Sequence, residues 1–303
     1  MMKVINFYNE IKKILPELKL SLDEPMSKHT SFRIGGPAQI MAFPENDYQL
    51  SQLLKMSALM DIKTAILGAG TNVLAPDRGV CGLVICLKDC FDGMKQLDET
   101  RICVAAGVTM TRVAIFAASA GLSGLEFAHG IPGTVGGGVY MNAGAYGGEI
   151  CQVCESVDVM DMQGNVRTLS NGEMGFSYRH SILEDEKGIV LRTVFSLQKA
   201  QPDAIRARMQ ELMQKRKASQ PLEYPSAGSA FKRPTGGYAA ALIEGAGLKG
   251  YQVGGAAISS KHAGFAVNLG GATAEDVTNL LTQVSDKVFE QTGIRLEPEV
   301  RIW

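Results

Sequence analysis

Three stretches of the sequence carry residue types whose spacing could do chemistry. In LGAGTNVLAPD an apolar, strand-like run enters Gly68, Ala69, Gly70, Thr71 and Asn72. A glycine turn at a strand end lets backbone N–H groups approach a phosphate, with the Thr71 hydroxyl and the Asn72 amide as extra donors. Taken alone, the pentapeptide reads more simply as a tight turn. The second stretch, GLEFAHGIPGTVGGGVYMNAGAYGGEI, holds nine glycines from Gly124 to Gly148 and neither Ser nor Lys. It cannot be a flexible linker, because Ile131, Val135, Val139, Met141 and Ile150 would be left in water. Glycines at that density remove Cβ atoms where backbone must lie against a flat or extended ligand. The third stretch is the tail RLEPEVRIW, where Glu297, Glu299 and Arg301 are spaced two apart. On a strand they share one face while Leu296, Val300 and Ile302 take the other, an arrangement that by itself reads as a solvated face.

Other signatures are absent. The spacing of Gly68–Asn72 is not G-x-G-x-x-G and no G-x-x-x-x-G-K-[ST] occurs, so a Rossmann or P-loop reading has no support there. Cys151 and Cys154 form an isolated C-x-x-C with no second ligand pair at zinc-like spacing, so they read as structural thiols and no metal site is expected.

The elements that must position these groups are those of a soluble globular chain. It has 303 residues, 46% hydrophobic and 20% charged, with 30 Lys+Arg against 31 Asp+Glu. This balance gives no broad basic field of the kind that gathers nucleic acid or anionic membrane. No apolar run is long enough to span a bilayer, and the six cysteines, without a secretory leader, read as reduced thiols in a cytoplasm. Length alone suggests one to three domains, since single cores usually stop growing beyond roughly 250 residues. The first twenty residues alternate lysine and apolar residues at helical spacing and predict a surface helix. Ala38–Phe43 reads as a strand, Asn46 as the cap of a helix reaching about Leu59, and KTAIL, GLVICL and RICVAA as further strands. TMTRVAIFAASAGL has a helical period closed by Gly121. SVDVMDM, NVRTL and IVLRTVFSL predict an antiparallel sheet with a turn at residues 163–165. A charged helix from Gln201 to Gln220 marks the expected domain junction, and a last helix opens on Thr273 and Asp276 as a capping pair. There is no internal repeat.

SFRIGGPAQIMAFPEN, LGAGTNVLAPD, the nine-glycine stretch, FSYRHSIL, PSAGSAFKRP, GLKGYQVGGAAISSKHAGFAVN and LEPEVRIW, in that order, closely resemble the UDP-N-acetylenolpyruvoylglucosamine reductase family of bacterial flavoenzymes. The resemblance runs from about Ser31 to Arg301. It implies an α+β protein: an FAD-binding region of the vanillyl-alcohol-oxidase (PCMH) type over residues 1–200, with two subdomains meeting near residue 90, then a smaller α+β substrate-binding domain over 201–303. It also implies NADPH as reductant and UDP-N-acetylglucosamine enolpyruvate as substrate, in a cytoplasmic bacterial enzyme that is a monomer or weak oligomer and binds neither nucleic acid nor membrane.

Residue by residue, the resemblance places FAD against Gly68–Asn72, Gly130, Ile131, Pro132, Gly133, Gly137, Asn142, Ala143 and Gly144. It makes Arg179 the arginine that holds the substrate carboxylate, a task suited to its planar fork. Ser229 becomes the proton donor and Glu299 the acid beside the reacting carbon. Lys232, Lys249, Lys261, His262 and Arg301 are weaker candidates for substrate or NADPH contacts, each more simply read as a solvated or structural residue. Gly264, Arg233 and Gly138 depart from the family's usual Asn, Asn and Ala. The segment after Ser229 has no room for the insert that carries a gating tyrosine in some members, so the chain looks like the compact subtype. Two alternatives stay open: an FAD oxidase or dehydrogenase acting on an alcohol or sugar, and a non-catalytic flavin-binding protein.

Overall fold

The computed structural model describes residues 2–303. They divide into two compact units through which the chain passes repeatedly. The first holds the segment up to Leu22, Gln39–Ala69 and Gly82–Lys215; the second holds Asp23–Ala38, Gly70–Cys81 and Arg216–Trp303.

In the first unit, helix α1 (Met2–Ile14) buries Phe7 and Ile11 and packs on α2 (Asp47–Leu59), whose N-cap Asn46 accepts the Gln49 N–H as expected. The opening helix is shorter than its lysine pattern suggests. Pro16, which cannot continue a helix, ends it, and the chain turns into a strand at Lys19–Pro25. That strand lies at one edge of a four-stranded sheet ordered Lys19–Pro25, Pro37–Phe43, Val80–Cys86, Thr64–Leu67, with the last pair parallel. A five-stranded antiparallel sheet follows the order Val166–Ser170, Cys154–Met160, Ile189–Ser196, Arg101–Ala105, Met94–Gln96. Helix α3 (Met110–Ser119) is capped by Thr109, α4 (Val135–Tyr140) packs on strand Ile189–Ser196, and α5 (Ile182–Glu186) leads into that strand. Ile40, Leu50, Ile85, Val104, Val113 and Phe195 belong to one continuous buried core.

Helix α6 (Pro202–Ser219) spans the point where the chain enters its last long segment. The second unit is built on an antiparallel sheet ordered Ser226–Ser229, Phe265–Asn268, Ala256–Ile258, Gln252–Val253. Helix α8 (Ala274–Thr292) covers it, α7 (Ala239–Gly245) packs on α8, and Phe32, Ile34, Leu74, Phe231, Val277 and Val284 lie in its separate core. Thr273 and Asp276 form the anticipated capping box. The Asp77 carboxylate, from the end of LGAGTNVLAPD, adds bonds from the Ala274 N–H (2.9 Å) and the Glu275 N–H (3.3 Å). Aspartate at a helix N-terminus satisfies orphan donors and complements the dipole.

The tail departs from its expected form. Only Arg301–Ile302 is a strand, parallel to Val73–Leu74, while Phe231 and Pro298 form an isolated bridge. The bridge at Pro298 is made by its neighbours, the Glu299 N–H to the Ala230 carbonyl and the Lys232 N–H to the Glu297 carbonyl, so the tail pairs first with residues 230–232 and then with Val73–Leu74. The common face is lost across that change of partner: Glu299 is half-buried where Glu297 is exposed, and Ile302 is 52% exposed although Leu296 and Val300 are buried.

Candidate functional site

In the first unit, strand Thr64–Leu67 ends at Gly68, where a Cβ would lie 2.6 Å from the Thr134 hydroxyl. Thr134 is the N-cap of α4 and accepts the Gly137 N–H (3.4 Å). The two glycine stretches therefore touch, with Gly68 against the cap of the glycine helix. Sequence reasoning passed over Thr134, although a Thr directly before V-G-G-G is an N-cap signal.

Imagining a Cβ at each glycine separates two kinds of site. At Gly136 it would meet the Ala106 Cβ at 2.9 Å, at Gly138 the Met110 sulfur at 2.9 Å, at Gly144 the Glu149 Cγ at 2.6 Å, and at Gly148 the Phe127 ring at 2.5 Å. These glycines let protein pack on protein. Gly137 differs: it is exposed, and its Cβ would find only the Thr134 hydroxyl, at 3.6 Å. Beside it Pro132 is also exposed, and the N–H groups of Gly68 and Ala69 donate to no acceptor among the described residues. A strip of bare backbone with unspent donors fits a flat ligand bearing a phosphate.

The other residues of this set are more internally engaged. The Gly130 N–H goes to the Thr111 hydroxyl (3.3 Å), the Ile131 N–H to the Ala128 carbonyl, the Ala143 N–H to the Gly138 carbonyl, and the Gly133 carbonyl accepts from Met110. Asn142 is 2% exposed and has φ of 42°, a left-handed backbone that Asn tolerates better than most residues. Its Nδ2 donates to Glu149 Oε2 (3.2 Å) and the Ser177 carbonyl (3.0 Å), while its Oδ1 accepts the Cys151 N–H (3.0 Å). Asn142 thus joins the glycine loop to the FSYRHS segment.

That segment makes a tight hairpin in which Ser177 and His180 exchange backbone bonds around Tyr178 and Arg179. Arg179 is half-buried, its φ is 58°, and its guanidinium lies 5.0 Å from the Tyr178 ring centroid. A left-handed arginine is strained by about 1–2 kcal/mol, so the hairpin holds the side chain in a place it would not adopt freely. Cys151 and Cys154 are both free, and burial pushes the Cys154 thiol up to about 12, so neither is a thiolate nucleophile.

In the second unit, Ser229 ends strand Ser226–Ser229 after a bulge at Gly228, whose φ is 78°. The chain then meets the tail: the Glu299 N–H donates to the Ala230 carbonyl (2.9 Å), and the Lys232 N–H to the Glu297 carbonyl (2.9 Å). Ser229 and Glu299, far apart in sequence, are thus held by backbones bonded to each other, and both are half-buried. Gly70 and Asn72 belong to this unit. Gly70, with φ of 62°, is a packing glycine, since a Cβ would sit 2.0 Å from the His29 carbonyl. Asn72 Nδ2 donates to the Glu299 carbonyl (3.2 Å).

The candidate cations are mostly spoken for. Lys232 pairs with Glu297, Lys249 with Glu244 (2.7 Å), and Lys261 with the Lys217 carbonyl (2.8 Å) and Glu223. Burial lowers the pKa of His262, its Nδ1 accepts the Gly264 N–H (3.1 Å), and its ring meets Phe265 edge-on at 5.1 Å. A ring held neutral in this way is a poor anion ligand. A side chain at Gly264 would crowd it, with a Cβ 3.0 Å from the imidazole, so glycine here leaves room for the histidine. Arg301 is half-buried, on the short parallel strand. Among the described residues no group of three His, Cys, Asp or Glu could hold a metal, and no helix is long and apolar enough to cross a membrane.

Comparison with known proteins accounts for this arrangement. A family model described as "UDP-N-acetylenolpyruvoylglucosamine reductase, C-terminal domain" matches residues 220–303, and one described as "FAD binding domain" matches residues 38–170. The UDP-N-acetylenolpyruvoylglucosamine reductase of Caldanaerobacter subterraneus subsp. tengcongensis is 48% identical over 294 residues, 97% of each chain. The chain belongs to the UDP-N-acetylenolpyruvoylglucosamine reductase family. The crystal structure of the family's enzyme from Thermus caldophilus superposes with a TM-score of 0.80 at 37% identity, covering 95% of this chain and 99% of that one. An alkyldihydroxyacetonephosphate synthase, 17% identical, shares the fold alone over 64% of this chain and 40% of its own, with a TM-score of 0.50. The architecture is the α+β FAD-binding fold of the vanillyl-alcohol-oxidase type, and the protein is an oxidoreductase that uses FAD. The matched FAD region includes Gly68 and the whole nine-glycine loop.

Proposed function

We propose that this enzyme reduces the enolpyruvyl C=C of UDP-N-acetylglucosamine enolpyruvate with NADPH, forming UDP-N-acetylmuramate. Family membership supports the reaction, and the observation that carries the assignment of residues is the backbone bond between Glu299 and Ala230, which binds the segment of the acid to that of Ser229. Bound FAD would supply the hydride, received from NADPH, to the terminal enolpyruvyl carbon. Charge then develops at the neighbouring carbon and its carboxylate, which leaves the protein two tasks, to stabilise that charge and to deliver a proton. Arg179, strained into position, meets the carboxylate with its planar fork. Ser229 Oγ gives its proton to the carbon. Serine is a weak acid, so its proton moves only if the oxygen left behind is stabilised or resupplied, and the half-buried Glu299 is the group assigned to that neighbourhood. The FAD set is Gly68–Asn72, Gly130–Gly133, Gly137 and Asn142–Gly144, with Gly68, Ala69 and Gly137 offering open backbone and Asn142 acting through the loop it ties.

We assign FAD binding to residues 1–200 and UDP-sugar binding to 201–303, the division expected from the sequence; the compact units differ from it in grouping residues 23–38 and 70–81 with the C-terminal segment. Lys232, Lys249, Lys261 and Arg301 are the cations assigned to that task, and the three lysines would exchange their present partners for the substrate. The enzyme works as a monomer or weak oligomer in the bacterial cytoplasm, in peptidoglycan precursor synthesis and so in cell wall biogenesis, cell shape and division. The deciding assay is NADPH oxidation by the FAD-loaded protein with and without UDP-N-acetylglucosamine enolpyruvate. Oxidation that ignores the enolpyruvyl compound, or oxygen consumption with an alcohol or sugar instead, would overturn the proposal.

A further inference from the structure

The turn assigned to the cofactor is also hydrogen-bonded to both segments that carry the proposed proton-handling groups. On one side, the Ser31 N–H donates to the Gly70 carbonyl (3.1 Å) and the Ser31 hydroxyl to the Ser226 carbonyl (2.6 Å), at the start of the strand that ends in Ser229. On the other side, Asn72 Nδ2 donates to the Glu299 carbonyl (3.2 Å), and the Asn72 carbonyl accepts the Arg301 N–H (2.9 Å). Beyond that, Val73–Leu74 pairs in parallel with Arg301–Ile302, and the Trp303 N–H reaches the Leu74 carbonyl (3.1 Å). Glu299 is therefore held at both ends of its backbone, its N–H by Ala230 and its C=O by Asn72. The short parallel strand begins only at Arg301, whereas residues 297–299 pair with 230–232 through the Phe231–Pro298 bridge. The Asn72 side chain thus bonds the tail at the residue where it leaves one partner and before it joins the other.

We infer that Asn72 is a positioning residue for Glu299, and that its amide serves the acid's backbone where the sequence pattern assigned it to a phosphate. An asparagine suits this place because its NH2 donates and its own backbone carbonyl remains free to accept from Arg301. Ser31 does the corresponding work for the strand of Ser229. Together they tie the orientation of both proton-handling groups to the backbone of the cofactor turn. The inference rests on the proposed function only for the roles of Ser229 and Glu299; the hydrogen bonds themselves do not depend on it.

The test uses Asn72→Ala and the near-isosteric Asn72→Asp, which keeps the shape but loses the donor. The first readout needs no cofactor: amide hydrogen exchange of the tail, followed by mass spectrometry on the FAD-free protein. Both variants should speed exchange across residues 299–303 while exchange in α8 stays as in the wild type. The second readout is stopped-flow kinetics at saturating FAD. Flavin reoxidation by the enolpyruvyl substrate should slow by about ten- to a hundredfold relative to flavin reduction by NADPH, the range expected when a reacting group is displaced by about an ångström. The pH profile of reoxidation should shift with it. Asn72→Ser, which can still donate, should recover part of both effects. Tail exchange unchanged in both variants, or a defect confined to FAD affinity and abolished by excess FAD, overturns the inference. A wild-type protein with no enolpyruvyl activity would overturn the proposed function instead, while the exchange result would still decide the role of Asn72.

Discussion

Substituting two glycines of one loop by alanine should give opposite results. At Gly137 a methyl group would meet nothing closer than the Thr134 hydroxyl at 3.6 Å, and the residue is the third of α4 with ordinary helical backbone. Replacing Gly by Ala inside a helix gains up to about 1 kcal/mol, and roughly half of that is reasonable in a first turn. The FAD-free Gly137→Ala protein should therefore melt at the wild-type temperature or about 1–2 °C above it. Its FAD affinity should fall at least about tenfold, equivalent to roughly 1.4 kcal/mol, because the methyl group occupies the exposed backbone strip where the flavin is proposed to lie. Gly148→Ala reverses the pattern. Its methyl group would sit 2.5 Å from two atoms of the Phe127 ring, and Phe127 is itself 6% exposed and cannot swing clear. Overpacking of this kind costs typically 1–3 kcal/mol. At about 2 kcal/mol the melting temperature drops by roughly 4–8 °C, with FAD affinity of the folded fraction less affected than in Gly137→Ala. Thermal denaturation without FAD and fluorescence-quenching titration with FAD measure both quantities. A Gly137→Ala protein that binds FAD as tightly as the wild type would refute the placement of the cofactor, and a Gly148→Ala protein of undiminished stability would refute the packing argument.

Three further outcomes are expected. Asp77→Ala should cost about 1–2 kcal/mol of stability by removing a cap shared by two helix N–H groups, read from urea unfolding, with Asp77→Asn recovering part of it. Because burial holds the pKa of His262 below its ordinary 6.5, the unfolded chain takes up a proton near that pH that the folded chain does not. The stability this contributes is complete above about pH 6.5 and lost as pH falls through the lower folded value; His262→Gln should flatten the dependence of the urea midpoint between about pH 7.5 and pH 5.5. Ser229→Ala should leave flavin reduction by NADPH largely in place while turnover of the enolpyruvyl substrate falls by about a hundredfold or more, and equal loss of both steps would remove Ser229 from proton donation.

Most helices and strands were legible in the sequence because their signals are local. Asn46 at the start of α2, Thr273 with Asp276 at the start of α8, and the β-branched runs of the five-stranded sheet all name themselves within a few residues. Two expectations failed, one for a local reason and one not: Pro16 ended the first helix early, whereas the tail changes pairing partner from residues 230–232 to Val73–Leu74 and so presents no single face. The order of the strands, the capping of α8 by Asp77, and the embrace of Asn142 by Glu149, Cys151 and Ser177 depend on partners that the local pattern does not specify. A left-handed Asn in MNAG could have been suspected from its neighbours, but a left-handed Arg179 could not.

The glycine count illustrates why a site can be located in a sequence before it can be interpreted. A cluster of glycines announces close approach, but not of what. Gly70 approaches the His29 carbonyl, Gly136 approaches Ala106 and Gly148 approaches Phe127, all partners within the protein, whereas Gly137 in the same loop opens outward. The same limit applies to polar residues. Asn72 has the composition and position of a phosphate ligand, yet its amide is bonded to the Glu299 backbone. Serine and glutamate carry no chemical advertisement at all. What the structure adds is the network that holds the segments of Ser229 and Glu299: the Glu299 N–H donates to the Ala230 carbonyl, Asn72 donates to the Glu299 carbonyl, and Ser31 donates to the Ser226 carbonyl at the start of the strand that ends in Ser229. On the proposed role of Ser229 as proton donor, the geometry that lets a weak acid act at carbon is held by this backbone network, and substitutions in the network should impair proton delivery without touching the proposed donor.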